Sequence, residues 1–110
     1  MSKYIIVKTY CNKKKIANEI IEVLLKKKLV AGAQVSKISS KYWWNNSIEI
    51  SDEYQLEFRT KKNLFSEIEK EIKKIHDYDV AEISAIEIVD GSKEFFKWID
   101  DNTISSKYSL

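Results

Sequence analysis

Residues 33–60 read AQVSKISSKYWWNNSIEISDEYQLEFRT, and this stretch decides the fold. Its second half, Glu53–Thr60, alternates with the period of a β-strand that buries one face. The apolar positions are Tyr54, Leu56 and Phe58, and the polar positions are Gln55, Glu57 and Arg59. The first half, Ala33–Ser40, alternates less regularly and continues into Tyr42–Trp44. Because Asn tolerates left-handed backbone, Asn45–Ser47 favours a tight turn, and the stretch predicts a long β-hairpin.

A strand and a helix precede the hairpin. Tyr4–Val7 is apolar and β-branched, which is typical of a buried strand. From about Lys13 to Lys28, apolar residues recur every four positions and predict a helix with one buried face. The recurring positions are Ile16, Ile20 and Leu24. Asn12 is expected to cap the first turn, and Gly32 lies near the turn back into the hairpin.

A second helix, a strand and a short third helix follow the hairpin. The second helix has an apolar stripe at Leu64, Ile68, Ile72 and Ile75. Asn63 is its expected N-cap, and Ile83–Val89 predicts the last strand. Ser92 is expected to cap a final helix. Its predicted inner face consists of Phe95, Phe96, Trp98 and Ile99. The polar tail from Asn102 onward is expected to wrap a neighbour or to fray.

The order of these elements defines the fold class. Strand, helix, two strands, helix and strand form the β-α-β-β-α-β order of an α+β, ferredoxin-like sandwich, here with a long β2-β3 hairpin and a short C-terminal helix. Right-handed crossovers put both long helices on one face of the sheet. The chain has 110 residues, two Gly and no Pro, and it shows no linker. The sequence therefore predicts a single domain over residues 1–110.

The charge balance and the motifs that the chain lacks limit its function class. Nineteen basic and seventeen acidic residues give a net charge of +2, which argues against nucleic acid or an anionic membrane as the main partner. There is no Gly-rich phosphate loop, and one cysteine excludes both an intrachain disulfide and a Cys-pair metal site. A Cys11–His76 dyad is formally possible but lacks an orienting third group. Because no apolar run reaches membrane-spanning length, we expect a cytoplasmic protein. Because these catalytic motifs are missing, we also expect that it is not an enzyme.

Three large aromatic residues stand near the tip of the predicted hairpin. Tyr42, Trp43 and Trp44 are consecutive, and a hairpin tip is normally exposed to solvent. Large exposed aromatic side chains are typical of a surface that a partner covers. They could also fold back on their own domain. We predict that they form a subunit interface.

Several segments, in chain order, resemble the CutA divalent-cation-tolerance proteins. Residues 40–48, SKYWWNNSI, resemble the family's S-x-Y-x-W-x-G-x-I signature, and residues 53–60, EYQLEFRT, resemble its E-x-x-x-x-x-K-T strand. His-Asp-Tyr at 76–78 looks like its H-P-Y, and Val-Ala-Glu-Ile at 80–83 looks like its V-P-E-I. Residues 90–99, with Gly91, Phe96 and Trp98, resemble its closing G-x-x-x-Y-x-x-W-[IL] segment.

The resemblance implies a ferredoxin-like fold of the PII type, a homotrimer built by the long hairpins, and a link to copper and other divalent cations. It implies no established enzymatic activity. The chain departs from the family pattern at the hairpin tip (Asn46 for Gly), before Thr60 (Arg59 for Lys), and at two prolines (Asp77 and Ala81). A cysteine that is common after the first helix is Gly32 here, and Cys11 is offset from a second one, which weakens thiolate binding of copper.

Two sets of candidate site residues follow. Glu53, Arg59 and Tyr78, together with Glu82, are expected to line a polar cleft between subunits, although an arginine among carboxylates is also typical of a structural ion pair. His76 and Glu82 lie six residues apart and suit zinc or copper(II), whereas Cys11 would favour copper(I). One chain offers too few ligands, so a metal site should be open or shared between subunits. Alternatively, His76 caps the C-terminus of the second helix.

The function predicted from these residues is a trimeric, non-catalytic protein of divalent-cation tolerance. It would bind or respond to copper and other divalent metal ions, which would bind weakly, and it would require no cofactor. The alternative is a trimeric scaffold, signalling or anchoring module in which metal binding is incidental. A third hypothesis is an enzyme that uses the clefts between subunits.

Overall fold

A computed structural model of the chain describes residues 3–105, which form the predicted order of strands and helices. The elements are β1 Tyr4–Cys11, α1 Lys14–Lys26, β2 Gly32–Trp44, β3 Ser47–Lys61, α2 Phe65–Ile75, β4 Ile83–Glu87 and α3 Lys93–Asp101, with a 3-10 turn at Lys62–Leu64. Residues 1–2 and 106–110 of the predicted domain, including most of the tail after Asn102, lie outside the described residues. None of the described helices is long and apolar enough to cross a membrane.

The strands form one antiparallel sheet in the order β2-β3-β1-β4. β1 ends at Cys11, opposite Tyr54 of β3, whereas β2 and β3 stay paired as far as Trp44 opposite Ser47. The hairpin therefore projects past the rest of the sheet, and the molecule is 46 Å long but only 26 by 21 Å across. The predicted α+β, ferredoxin-like class with its long hairpin is confirmed.

Both long helices cover the same face of the sheet, as the sequence predicted. On this face, alternate strand residues and one stripe of each helix are apolar, and they bury one another completely or nearly so. The core includes Ile5, Val7, Ala17, Ile20, Leu24, Leu56, Phe58, Ile68 and Ile72. An ion pair joins the two helices at the edge of this core: Lys27 Nζ of the α1 C-cap lies 2.8 Å from Glu71 Oε1 of α2.

The third helix packs on the opposite face of the sheet. The ring of Phe96 stacks on Tyr4 of β1 at a centroid distance of 4.2 Å, and Tyr4 Oη donates a 2.8 Å hydrogen bond to Asp100. The ring of Trp98 lies against Gly32, where an added Cβ would be 2.8 Å from Trp98 Cη2. The predicted inner face is only partly right, because Ile99 is fully buried whereas Trp98 is 41 % exposed.

The predicted ends of the helices are right in one case and wrong in two. Ser92 caps α3 as expected, since its side chain accepts a hydrogen bond from the backbone N–H of Phe95. The prediction for Asn12 is wrong, because Lys13 is the N-cap of α1 and its side chain makes no capping bond. Asn63 is also not a cap, because a 3-10 turn occupies its position and carries the chain into α2.

The turns use left-handed backbone at three residues other than glycine among those described. Asn45 and Asn46 have φ values of 49° and 62°, which confirms the predicted tight turn at the hairpin tip. Lys28, with φ of 55°, is the left-handed residue that follows α1. The sequence had suggested Gly32 for the turn after this helix. The last strand ends at Glu87, two residues before the predicted Val89.

Candidate functional site

A groove of about 760 Å³ lies on the sheet face opposite α1 and α2. It is formed where the base of the hairpin meets the connection between α2 and β4, and we call it the hairpin groove. Its aromatic lining residues are Tyr10, Tyr42, Trp43, Trp44 and Tyr78. Its carboxylate lining residues are Glu53, Asp79 and Glu82. The hairpin groove thus contains six of the nine site residues predicted from the sequence, and lacks Cys11, His76 and Arg59.

Glu53 is the buried carboxylate of the hairpin groove. Its residue surface is 8 % exposed, and its Oε2 accepts a 2.8 Å hydrogen bond from the hydroxyl of Tyr78. Burial and this bond to a carboxylate raise the pKa of the Tyr78 phenol well above its ordinary value. Tyr78 therefore stays a neutral donor that holds the Glu53 carboxylate in one orientation.

His76 lies behind the hairpin groove with both ring nitrogens engaged. The imidazole is 1 % exposed. Nε2 donates a hydrogen bond to the carbonyl of Tyr10, and Nδ1 accepts one from the backbone N–H of Tyr78 at 3.2 Å. These partners define a neutral imidazole that carries its proton on Nε2. The residue is the C-cap of α2, but the ring joins β1 to the α2–β4 connection and does not act on the helix end.

Cys11 and Glu82, the other two predicted metal ligands, are held in separate ways. Cys11 is fully buried, burial raises the pKa of its thiol, and Sγ lies 3.7 Å from the carbonyl of Lys13. The Glu82 carboxylate is at the exposed rim of the groove, where Oε2 accepts a bond from Ser84. Among residues 3–105, no group of three or more His, Cys, Asp or Glu side chains is arranged to hold a metal ion. A complete metal site within one chain therefore does not fit these residues.

Arg59 lies on the same face of β3 as Glu53 but far from the groove. Six residues of extended strand separate the two by about 20 Å. Arg59 Nη1 is 3.4 Å from Glu57 Oε1, and Lys8 Nζ of the neighbouring strand is 3.8 Å from Glu57 Oε2. Within one chain, Arg59 belongs to an ion-pair row across the open sheet face and does not contact the residues around Glu53.

The three hairpin aromatics do not share one face. Tyr42 and Trp44 alternate with Trp43 along β2, so the first two point to one side of the hairpin and Trp43 to the other, while part of Trp43 still lines the edge of the groove. Tyr42 Oη is 3.3 Å from Ser51 Oγ across the hairpin. Trp43 pairs with Ile48 and is 72 % exposed.

Among the aromatic and carboxylate residues that line the hairpin groove, Tyr10 and Asp79 were not predicted as site residues from the sequence. Tyr10 was missed because the first strand was predicted to end at Val7, whereas β1 continues to Cys11. Continued alternation from Ile6 through Lys8 would have placed Tyr10 on the open sheet face. Asp79 carries no such signal, because it lies in an irregular connection.

Comparisons with known proteins agree with the fold. A family model described as "CutA1 divalent ion tolerance protein" matches residues 5–102. A divalent-cation tolerance protein CutA from Archaeoglobus fulgidus is 39 % identical over 85 residues, which are 77 % of this chain and 83 % of the relative. The solved CutA1 of Shewanella sp. SIB1 matches with a TM-score of 0.90 and 30 % identity, over 94 % of this chain and 98 % of that one. A solved structure from Archaeoglobus fulgidus is described as a periplasmic divalent cation tolerance protein CutA. It matches with a TM-score of 0.87 and 33 % identity, over 90 % of this chain and 97 % of that one.

Proposed function

Since the chain belongs to the CutA1 divalent ion tolerance protein family, we propose that it is a homotrimeric, non-catalytic protein of divalent-cation tolerance that binds or responds to copper and related ions. Family membership supports the link to divalent cations.

The uncovered hairpin tip is the observation that carries the trimer. Trp43, Ile48 and Ile50 are 72 %, 61 % and 66 % exposed. They lie on one face of the hairpin, since Trp43 pairs with Ile48 and Ile50 is two residues further along β3. Apolar side chains concentrated at an exposed tip are typical of a subunit interface. A second copy of the chain would remove them from water.

A cleft that includes both Glu53 and Arg59 also requires more than one chain. The two side chains of one chain are about 20 Å apart along β3. In a closed ring of three copies, Arg59 of one copy could approach Glu53 of the next. We therefore retain the inter-subunit cleft of Glu53, Arg59 and Tyr78 as part of the proposed trimer.

Sedimentation equilibrium tests the trimer directly. We expect a mass three times the 12.9 kDa of one chain at micromolar concentration. Ile50→Asp should shift the protein towards monomer, because the interface would have to bury an unpaired charge. Ser47→Asp adds the same charge at the exposed turn and is the matched control. A wild-type monomer that is stable at micromolar concentration would contradict the trimer.

The metal part of the proposal assigns ligands to more than one chain. His76 and Glu82, with Cys11, remain the proposed ligand set, in an open site or one shared between subunits. Cys11 is the least suited, because its thiol is buried and its pKa is raised. Elemental analysis of the protein purified from its native cells tests this part. A bound divalent metal in a fixed ratio to the chain supports it, and a metal-free protein from copper-loaded cells contradicts it.

The proposed compartment is the cytoplasm. A buried free thiol at Cys11 is compatible with a reducing compartment. The periplasmic description of the Archaeoglobus fulgidus relative makes the periplasm the competing assignment. Fractionation of native cells with an antibody against the chain distinguishes the two compartments.

A trimeric scaffold or anchoring module is the second candidate. It is favoured by apolar residues away from the hairpin, since Val89 is 89 % and Ile86 52 % exposed. Assembly through the hairpin tips would leave these side chains for another partner. A partner that the wild type recovers from native cells in a fixed ratio, and that Val89→Asp loses, would support this function.

A further inference from the structure

The connection between β4 and α3 contains the one Asp-Gly pair of the sequence, Asp90 and Gly91. Both residues are exposed and lie outside helix and strand. The backbone N–H of Gly91 donates a 2.8 Å hydrogen bond to Oδ1 of Asp90, its immediate neighbour in the chain. The carboxyl group of Asp90 is thus folded back against the next peptide nitrogen, and its Cγ is one covalent bond from the oxygen that this nitrogen contacts.

This arrangement resembles the starting point for cyclisation of the backbone to a succinimide. In that reaction the Gly91 nitrogen forms a bond to Cγ of Asp90 and loses its proton, while one oxygen of the protonated carboxyl group leaves as water. A second water molecule then opens the ring. Opening at Cγ restores aspartate, whereas opening at the main-chain carbonyl carbon of Asp90 gives isoaspartate. Water is the only co-reactant, and no atom changes its oxidation state.

Two features of the segment favour this reaction at Asp90. Gly91 has no Cβ, so no side chain shields its nitrogen from the carboxyl group. The hydrogen bond also holds the reacting groups together, which removes part of the entropic barrier to ring closure. Other Asp side chains are drawn away from the following nitrogen by lysines. Asp77 Oδ2 lies 2.7 Å from Lys13 Nζ, and Asp101 Oδ2 lies 2.6 Å from Lys97 Nζ.

We propose that the Asp90-Gly91 pair is a site of spontaneous succinimide formation at which isoaspartate accumulates in the folded protein. In the isoaspartyl form the main chain runs through the side chain of Asp90 and is one methylene longer. Neither residue lines the hairpin groove or belongs to the hairpin, so the proposal rests neither on the trimer nor on metal binding.

The longer connection should weaken the attachment of α3 to the sheet. Gly91 packs against Phe96, since an added Cβ would lie 3.0 Å from Phe96 Cζ, and the Phe96 ring stacks on Tyr4 of β1. Ser92, the next residue, is the N-cap of α3. An extra methylene at position 90 has to shift these contacts. We therefore expect the isoaspartyl form, separated by ion exchange, to unfold at a lower urea concentration than fresh protein.

Peptide mapping of aged protein tests the proposal. Trypsin should release residues 75–93 as one peptide, which also contains Asp77 and Asp79 as internal controls. After weeks at neutral pH and 37 °C, we expect isoaspartate at Asp90 and none at the two controls. At mildly acidic pH, where a succinimide persists, the same peptide should lose the mass of one water. A protein isoaspartyl methyltransferase, which methylates the carboxyl group that isomerisation creates, should label the aged protein.

A synthetic peptide of residues 86–95 measures the rate of the same pair without the fold. We expect the folded protein to form isoaspartate at least as fast as this peptide, because the contact between the reacting groups is already made. Asp90→Glu is the matched variant. It keeps the charge, but its longer side chain has to close a six-membered ring, so methyl labelling of the aged protein should fall by roughly tenfold or more.

Two outcomes would overturn the proposal. If the synthetic peptide isomerised and the folded protein remained unmodified, the hydrogen bond between Gly91 and Asp90 would protect the pair instead of preparing it for reaction. Equal methyl labelling of aged wild type and aged Asp90→Glu would place the modified residue elsewhere in the chain.

Discussion

The hydroxyl of Tyr78 donates a 2.8 Å hydrogen bond to Oε2 of Glu53, 25 positions earlier in the chain. This bond joins the α2–β4 connection to the base of the hairpin, because Glu53 is the last residue of β3 before its pairing with β1 begins at Tyr54. Tyr78 also donates its backbone N–H to His76 Nδ1. One residue thereby holds both the groove carboxylate and the buried imidazole.

Removing the Tyr78 hydroxyl should destabilise the protein and do so in a pH-dependent way. Tyr78→Phe leaves the buried Glu53 oxygen without its donor, so we expect the free energy of unfolding in urea to fall by about 1–3 kcal/mol. The folded pKa of Tyr78 is raised, so the wild-type contribution is full below the ordinary phenol pKa of 10.0 and is lost as the pH rises towards the folded value. Tyr54→Phe is the control, because no hydrogen bond of the Tyr54 hydroxyl is present among the described residues. An equal fall in the free energy of unfolding of Tyr78→Phe and Tyr54→Phe would contradict the prediction.

Glu71 should make the stability of the helix pair sensitive to acid. Its side chain is 10 % exposed and lies 2.8 Å from Lys27 Nζ and 3.4 Å from Lys74 Nζ. The hydrogen bond from Lys27 lowers the pKa of Glu71, so this contribution is present above pH 4.5 and is lost as the pH falls through the lowered pKa. At pH 7, Glu71→Gln should reduce the free energy of unfolding by about 1–2 kcal/mol.

The same measurement at low pH and on a surface pair checks this assignment. As the pH falls through the lowered pKa of Glu71, the difference between wild type and Glu71→Gln should shrink, because the wild-type carboxyl then loses its charge. Glu69→Gln removes an exposed i,i+4 partner of Lys73 and should cost about 0.5 kcal/mol or less at either pH. A loss in Glu71→Gln that is independent of pH would assign its effect to packing.

Gly32 should be intolerant of even one added methyl group. A Cβ at this position would lie 2.8 Å from Trp98 Cη2, so Gly32→Ala must displace the Trp98 ring from its place on the sheet. We expect a loss of about 1–3 kcal/mol in the free energy of unfolding. In a Trp98→Phe background the smaller ring leaves room, and the cost of Gly32→Ala should fall by more than half. An unchanged cost would show that the strain arises elsewhere.

The sequence predicted the elements whose residues alternate or recur with one period. The Tyr54, Leu56 and Phe58 series indicated β3, and the Ile68 and Ile72 stripe indicated α2, because burying a single face imposes these periods. The resemblance of residues 40–48 to a known signature then connected the hairpin to a family. These features depend on the pattern of residues within one segment, so they can be recognised from the sequence alone.

The details that the sequence missed depend on contacts between distant segments. Lys28 takes the left-handed backbone expected of a glycine, whereas Gly32 has no positive φ and instead leaves room for the Trp98 ring. His76 was open to two roles, and neither included its bonds to Tyr10 and Tyr78. The separation of Arg59 from Glu53 already follows from the predicted strand Glu53–Thr60, but the partners that each side chain finds on neighbouring segments could not be read from the sequence.

The proposed trimer should make the melting temperature depend on protein concentration. Association buries surface only in the folded state, so dilution favours unfolding by mass action. We expect a tenfold dilution to lower the wild-type melting temperature measurably. Ile50→Asp, which should not assemble, is expected to melt at a lower temperature that does not change on dilution. A wild-type melting temperature that is independent of concentration removes this argument for the trimer.

Metal binding through His76 should be weak, because it has to break contacts of the imidazole that stabilise the fold. A divalent ion on Nδ1 has to displace the backbone N–H of Tyr78, and the ring must leave a pocket in which it is 1 % exposed. We expect calorimetry with copper(II) or zinc to give small heats that decrease as the pH falls, because protons compete with a metal ion for its ligand atoms. His76→Ala should abolish these heats, and unfolding of both proteins without metal measures the separate structural role of the ring. Glu69→Gln, which alters a surface carboxylate far from His76, should leave the heats unchanged. Equal heats from wild type and His76→Ala would dismiss His76 as a ligand and leave it the role of joining β1 to the α2–β4 connection.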